Sequence, residues 1–167
     1  PKSPTIIIDG ITYLRIPVKT HIIKPGEKPQ DFIYQYTKDI LKPGDVIFIS
    51  EKVVAITQGR AVPVDQIKIG LLAKIMWRGV RKVSYGTGLR SPYSMQCAID
   101  EAGHARIILA GIVGVLGKLV GRRGDFYRVA GMQAATIDAA YTTPVEPYHN
   151  CVIKGPKDPD KVAENIK

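Results

Sequence analysis

The sequence predicts an α+β fold in which helices pack on mixed sheets, and three observations point to it. Runs of β-formers and runs of helical periodicity are segregated along the chain instead of alternating. A hydrophobic content of 45% beside 23% charged residues is that of an ordinary globular protein. A length of 167 residues suits one domain that buries roughly 70% of its unfolded surface. Residues 1–167 therefore read as a single α+β domain, with residues 1–16 an added β-hairpin.

Thr5-Ile6-Ile7-Ile8 and Ile11-Thr12-Tyr13-Leu14-Arg15-Ile16 flank Asp9-Gly10, the dipeptide that supplies the positive φ angles of a type I′ turn. Pro17 ends the hairpin. Residues 19–23 form a third extended piece that closes at Pro25-Gly26. From Gln30 to Leu41 the apolar positions Ile33, Tyr36, Ile40 and Leu41 follow helical spacing, with Pro29 at the entrance. Lys42-Pro43-Gly44-Asp45 is a turn that launches a strand over 46–49. A short helix or strand runs to Gln58, and 61–64 is extended. Asp65 caps a helix through Ile69, Leu72, Ile75 and Met76, and residues 84–89 form a glycine-bearing loop. Ser91-Pro92 opens a helix with Met95, Ala98 and Ile99 on its inner face. A glycine-rich helix spans 105–120, and the stretch 125–153 holds short strands and turns, ending in a strand at Val152-Ile153. Asp158 caps a last helix, with Pro159 at its first position and Val162, Ala163 and Ile166 along one stripe. That helix is barely two turns long at Lys167, which suggests the N-terminal portion of a longer protein.

The charge pattern limits the function classes. A formal charge of +9 is concentrated in two groups: Arg78, Arg81, Lys82 and Arg90, then Lys118, Arg122, Arg123 and Arg128. Such a field favours nucleotide phosphates or other anionic small molecules. Nucleic acid is disfavoured: aromatics such as Tyr85, Tyr93, Phe126 and Tyr127 sit among the arginines, but no RNA- or DNA-binding signature accompanies them. The longest apolar run, residues 107–117, is far shorter than the about 20 residues of a membrane span. Cys97 and Cys151 lack ligand-like spacing, so a structural zinc is disfavoured and a reducing cytoplasm is the expectation. Gly111-x-x-Gly114-x-x-Gly117-Lys118 is no phosphate loop, because Leu119 stands where a Ser or Thr would hold magnesium. Glycines at that spacing instead let a helix approach a neighbour closely. His21, His104 and His149 form no catalytic arrangement, and Asp100 and Glu101 read as a solvated pair at a helix end.

The richest stretch is 41–60. Its strand delivers Ser50, Glu51 and Lys52 abruptly and ends at Gln58-Gly59-Arg60, the arrangement of polar groups on a rigid base that ligand sites use. This Pro-Gly-Asp-Val strand, Ser-x-Lys segment and closing Gly-Arg resemble the enzymes that add glutamate to the deazaflavin coenzyme F-420, the γ-glutamyl ligase family. The likeness includes Ile23-Lys24-Pro25-Gly26, Val129-Ala130-Gly131 and Gly155-Pro156-Lys157-Asp158-Pro159-Asp160 in the same order. It implies a ligase-like fold, a homodimer with intertwined sheets, and GTP with Mg2+ or Mn2+ as cofactors.

The resemblance also implies site residues. Ser50, Glu51 and Lys52, with Arg60 and the loop Thr20-His21-Ile22-Ile23, match the nucleotide pocket. A nucleotide-contacting lysine of the family falls at Ile56, one turn beyond Lys52, which shares its face and is the expected substitute. The metal-binding aspartate falls at Gln133 and a neighbouring asparagine at Thr136, so both metal positions are degraded. A neutral amide binds a hard cation poorly. Asp138 enters that site only if the register slips. Two functions follow: nucleotide-dependent amide-forming ligation between a carboxylate and an amine, or a non-catalytic module that binds a nucleotide or anionic metabolite on the same scaffold.

Overall fold

The computed structural model describes residues 3–80 and 88–167. Arg81, Lys82, Tyr85 and most of the glycine-bearing loop expected at 84–89 lie outside the described residues. The chain opens with the hairpin, β1 (Thr5–Ile8) against β2 (Ile11–Leu14), in antiparallel register Ile8↔Ile11 through Thr5↔Leu14. Asp9 and Gly10 both have positive φ, 51° and 79°, as a type I′ turn requires. Every residue of both strands is exposed.

α1 (Pro29–Thr37) and α2 (Glu51–Thr57) follow, then β3 (Ala61–Pro63), a 3-10 turn at Val64–Gln66 and α3 (Leu71–Met76). α4 (Pro92–Ala102) begins at Ser91, whose hydroxyl accepts from the Tyr93 N–H. α5 (His104–Leu119), α6 (Asp125–Ala130) and α7 (Met132–Ala135) complete the helical half. β4 (Cys151–Ile153) returns to pair antiparallel with β3, and α8 (Pro159–Ile166) packs on α1 and α2. The expected α+β class therefore holds, but the sheets are not mixed. Among the described residues each sheet is a two-stranded antiparallel pair.

β4 organises the interior. Its side chains alternate between two faces, as a strand's must. Val152 enters a core with Met95, Ile99, Ile107 and Ala134, built by α4, α5, α6 and α7. Cys151 and Ile153 enter a second core with Ile23, Phe32, Ile56 and Tyr148. One short strand thus joins both cores, and the residue after it, Lys154, falls on the α4 side.

α5 carries apolar residues all round. Ile107 and Ala110 are buried, whereas Ile108, Leu109, Ile112, Leu116 and Leu119 are exposed. Its glycines face its neighbours: a Cβ at Gly114 would lie 3.1 Å from Phe126 Cβ, and one at Gly117 would collide with the Asp125 carboxylate. Close packing is what the glycine spacing predicts. No single helix among the described residues is long and apolar enough to cross a membrane; α4 and α5 together have the composition but bend by 116°.

Several sequence expectations give way. Residues 46–49 are no strand, although Val46 and Phe48 face out while Ile47 and Ile49 are half-buried. The alternation is real, but among the described residues no neighbouring backbone completes a ladder with it, nor with the extended piece at 19–23. The helix expected from Asp65 is divided: a 3-10 turn takes 64–66 and α3 starts after Gly70. The segment 125–135 is helical where strands and turns were expected, because Gly124 and Gly131 break it into pieces too short to show a helical period. Asp158 precedes α8 but makes no side-chain cap, since its backbone is left-handed at φ 45°. Val162 and Ile166 are half-buried as expected, and Ala163 is exposed.

Candidate functional site

The N-terminal end of α2, the turn after α7 and the chain leaving β4 meet around a cavity of about 230 Å3. Its polar wall is Glu51, Lys52, Thr136, Asp138 and Lys154, and Ile153 and Pro156 are among its apolar residues. Two local features bring these groups together. Residues 137–140 lie beside β4, where Asp138 and Ile153 exchange both backbone hydrogen bonds at 2.9 and 3.0 Å. α2 packs against the same strand.

Lys52 reaches across the cavity wall. Its Nζ lies 3.1 Å from Asp138 Oδ2 and donates to Thr143 Oγ1 at 3.0 Å. Lysine and carboxylate are both partly exposed, so a ligand can compete for either partner at modest cost. Asp138 thus lines the cavity and is held there by Lys52. Thr136 also lines the wall, and its hydroxyl donates to the Met132 carbonyl at 2.9 Å.

Behind the wall lies an ionic cluster that the sequence concealed. Arg60 is 9% exposed and points inward. Its Nη2 donates to Glu101 Oε2 at 2.7 Å and to Gln133 Oε1 at 3.3 Å, and its Nε donates to the Gly155 carbonyl at 2.5 Å. The second Glu101 oxygen lies 3.1 Å from Lys154 Nζ. Glu101 is only 14% exposed, so it belongs to no solvated pair with Asp100, contrary to expectation. Burial pushes its carboxyl up, but the hydrogen bonds and charges of Arg60 and Lys154 outweigh that and hold it below the usual range.

This arrangement relocates several expected site residues. Arg60 does not line the cavity; its charge serves Glu101. Gln133 is likewise behind the wall, accepting from Arg60 and donating from Nε2 to the Pro156 carbonyl at 3.3 Å. Ile56 is buried in the second core, so its apolar side chain fits its surroundings, and the residues of that helix that line the cavity are Glu51 and Lys52. Ser50 is the exposed residue before α2 and makes no side-chain cap there.

The loop Thr20-His21-Ile22-Ile23 forms a separate cluster and does not line the cavity. Thr20 donates to the His21 carbonyl at 2.9 Å, Ile22 is exposed, and Ile23 is buried with its carbonyl accepting from Tyr148 at 2.8 Å. His21 Nε2 lies 2.7 Å from Glu27 Oε2 and Nδ1 lies 3.0 Å from the Tyr36 hydroxyl. The carboxylate can only accept, so Nε2 is the donor to Glu27. The hydrogen bond from His21 holds Glu27 below the usual carboxylate range. These contacts pin the loop to α1.

Sequence reasoning missed Lys154, Glu101 and, in the matched register, Asp138. A signal existed for Lys154: it follows an apolar strand and precedes Gly155-Pro156, as Ser50 and Lys52 follow the run at 46–49.

No curated protein and no solved structure matches the chain. The sequence profile of one family does, across residues 17–167, which leaves only the hairpin and its flanks outside. Lys52, Thr136 and Lys154 of the cavity all lie within the matched stretch, and on that match the chain belongs to the F420-0:Gamma-glutamyl ligase family.

Proposed function

We propose that the cavity binds the phosphates of a nucleoside triphosphate and that the protein couples that binding to amide-forming ligation between a carboxylate and an amine. The observation that carries this reading is the meeting of Lys52 with Thr136 and Asp138 on one wall, in a chain of a γ-glutamyl ligase family. In the proposed reaction a carboxylate oxygen attacks the terminal phosphorus, and the bond to the bridging oxygen breaks to release the nucleoside diphosphate. The amine nitrogen then attacks the acyl carbon and loses a proton, and orthophosphate departs. Lys52 offsets the charge of the phosphoryl oxygens, which is most of what a protein contributes to such a transfer.

A resident pair of divalent cations fits this site poorly. Among the described residues no group of three or more His, Cys, Asp and Glu side chains could hold a metal ion. The Gln133 amide is engaged by Arg60 and Pro156, and Asp138 is paired with Lys52. No step of the proposed reaction is routed through Mg2+ or Mn2+. The same Gln133 contacts favour a second reading, a non-catalytic module that binds a nucleotide or anionic metabolite.

Calorimetric titration with GTP and with ATP tests the binding, and orthophosphate release in the presence of glutamate and the deazaflavin coenzyme tests the ligation. Saturable binding that Lys52→Ala weakens about tenfold, the worth of one charge-assisted hydrogen bond, supports the site. Binding without phosphate release assigns the module reading. Unchanged affinity in Lys52→Ala removes the cavity from consideration.

A further inference from the structure

The Arg60–Glu101–Lys154 cluster is unbalanced: two cations share one carboxylate. The β3–β4 register explains why. Ala61 pairs with Ile153, so Arg60 and Lys154 are the next cross-strand pair, and the Lys154 N–H donates to the Arg60 carbonyl at 3.0 Å. Like charges directly opposite on adjacent strands repel. Glu101, projecting from the end of α4, inserts one negative charge between them and leaves one positive charge over. A half-buried excess charge is costly unless an anion answers it. Arg60 is enclosed, with contacts to Glu101, Gln133 and Gly155. Lys154 is the member of the cluster that lines the cavity. Elsewhere on the wall, Lys52 is matched by Asp138, and Glu51 is exposed on the first turn of α2.

We infer that Lys154 is a second anion-binding residue of the cavity, positioned by Glu101 and taking a phosphoryl or carboxylate oxygen of the bound ligand opposite Lys52. The inference rests on the cavity being the nucleotide site. Its chemistry is ionic: the amine keeps one bond to Glu101 while its remaining N–H donors turn to the ligand, since an ammonium has three. Arg60 keeps the other Glu101 oxygen occupied, so the carboxylate cannot close over Lys154 alone.

Inorganic triphosphate is the probe. Calorimetry on the whole chain should show that Lys154→Ala weakens triphosphate binding about tenfold and that Lys154→Arg restores most of the loss. In the wild-type protein, triphosphate should shield Lys154 from reductive methylation read by mass spectrometry, a measurement that stands even if the alanine variant does not fold. Binding that is weakened by Lys52→Ala but unchanged in Lys154→Ala, with Lys154 methylated equally in both conditions, overturns the inference and leaves the cavity as the site. Failure of the wild-type protein to bind triphosphate overturns both.

Discussion

Glu101 illustrates how a single residue is defined by its partners. It follows Asp100 at the end of a helix, where two acidic residues normally face water, yet Arg60 and Lys154 each take one of its oxygens. Removing the carboxylate would leave two cations in a largely enclosed site, the case in which breaking an ion pair is most costly. Glu101→Ala is therefore expected to destabilise the protein by about 3 kcal/mol, measured by denaturant unfolding. The pH dependence has a definite sign. The folded pKa is depressed below the model-compound value of 4.5, so the stabilisation is complete above that value and is lost as pH falls through the folded pKa. Unfolding midpoints of the wild type should drop on acidification below about pH 4.5, and the Glu101→Ala protein should show less of that drop. Equal acid sensitivity in the two proteins would assign the loss to other carboxylates.

At the scale of elements, α5 shows how sequence spacing turns into packing. Gly111, Gly114 and Gly117 line the side on which α5 meets α3 and α6. An added methyl at Gly117 meets Asp125, which is itself buried and held by Arg128 at 2.8 Å and Arg122 at 3.2 Å. At Gly111 it meets only the thioether end of Met76, the far end of a flexible side chain. Alanine gains about 1 kcal/mol of helix propensity over glycine at either position. Gly117→Ala should nonetheless lose roughly 1–2 kcal/mol net through overpacking, whereas Gly111→Ala should be neutral or stabilising by thermal unfolding. A stabilised Gly117→Ala would mean that Asp125 and its arginines move aside freely. These contacts were legible in the glycine spacing, as were α4, β4 and the hairpin, where cap, period or turn residue agreed; α1 was legible at its start but ends at Thr37, leaving Ile40 and Leu41 exposed beyond it. The run at 46–49 was not, because a β pattern states that a segment alternates and cannot state whether a partner strand exists. The site was legible in part. Lys52 and Thr136, singled out in the sequence, both line the cavity, but Glu101 could not be foreseen, since pairing with Arg60 across 41 positions is a property of tertiary structure.

The whole molecule divides into a body and an appendage. The body has two cores that share β4, with the cavity where the chain leaves that strand, and the family match runs through all of it from residue 17. The appendage is the hairpin. Its turn is well specified, but all its strand residues are exposed, Ile7 at 71% and Leu14 at 67% among them. A lone two-stranded hairpin is marginal in water without a surface to pack on. Its backbone amides should therefore exchange with solvent through local opening, far faster than those of β3 and β4, whose opening requires disruption of both cores. Hydrogen–deuterium exchange by mass spectrometry should show peptides from residues 3–16 fully labelled while peptides covering 151–154 remain protected. Deleting residues 3–16 should likewise leave the unfolding midpoint of the body unchanged, since no core residue is lost. Protection of the hairpin comparable to that of β4 would contradict this division and would mean that the hairpin is covered in solution by a surface that its apolar side chains have found.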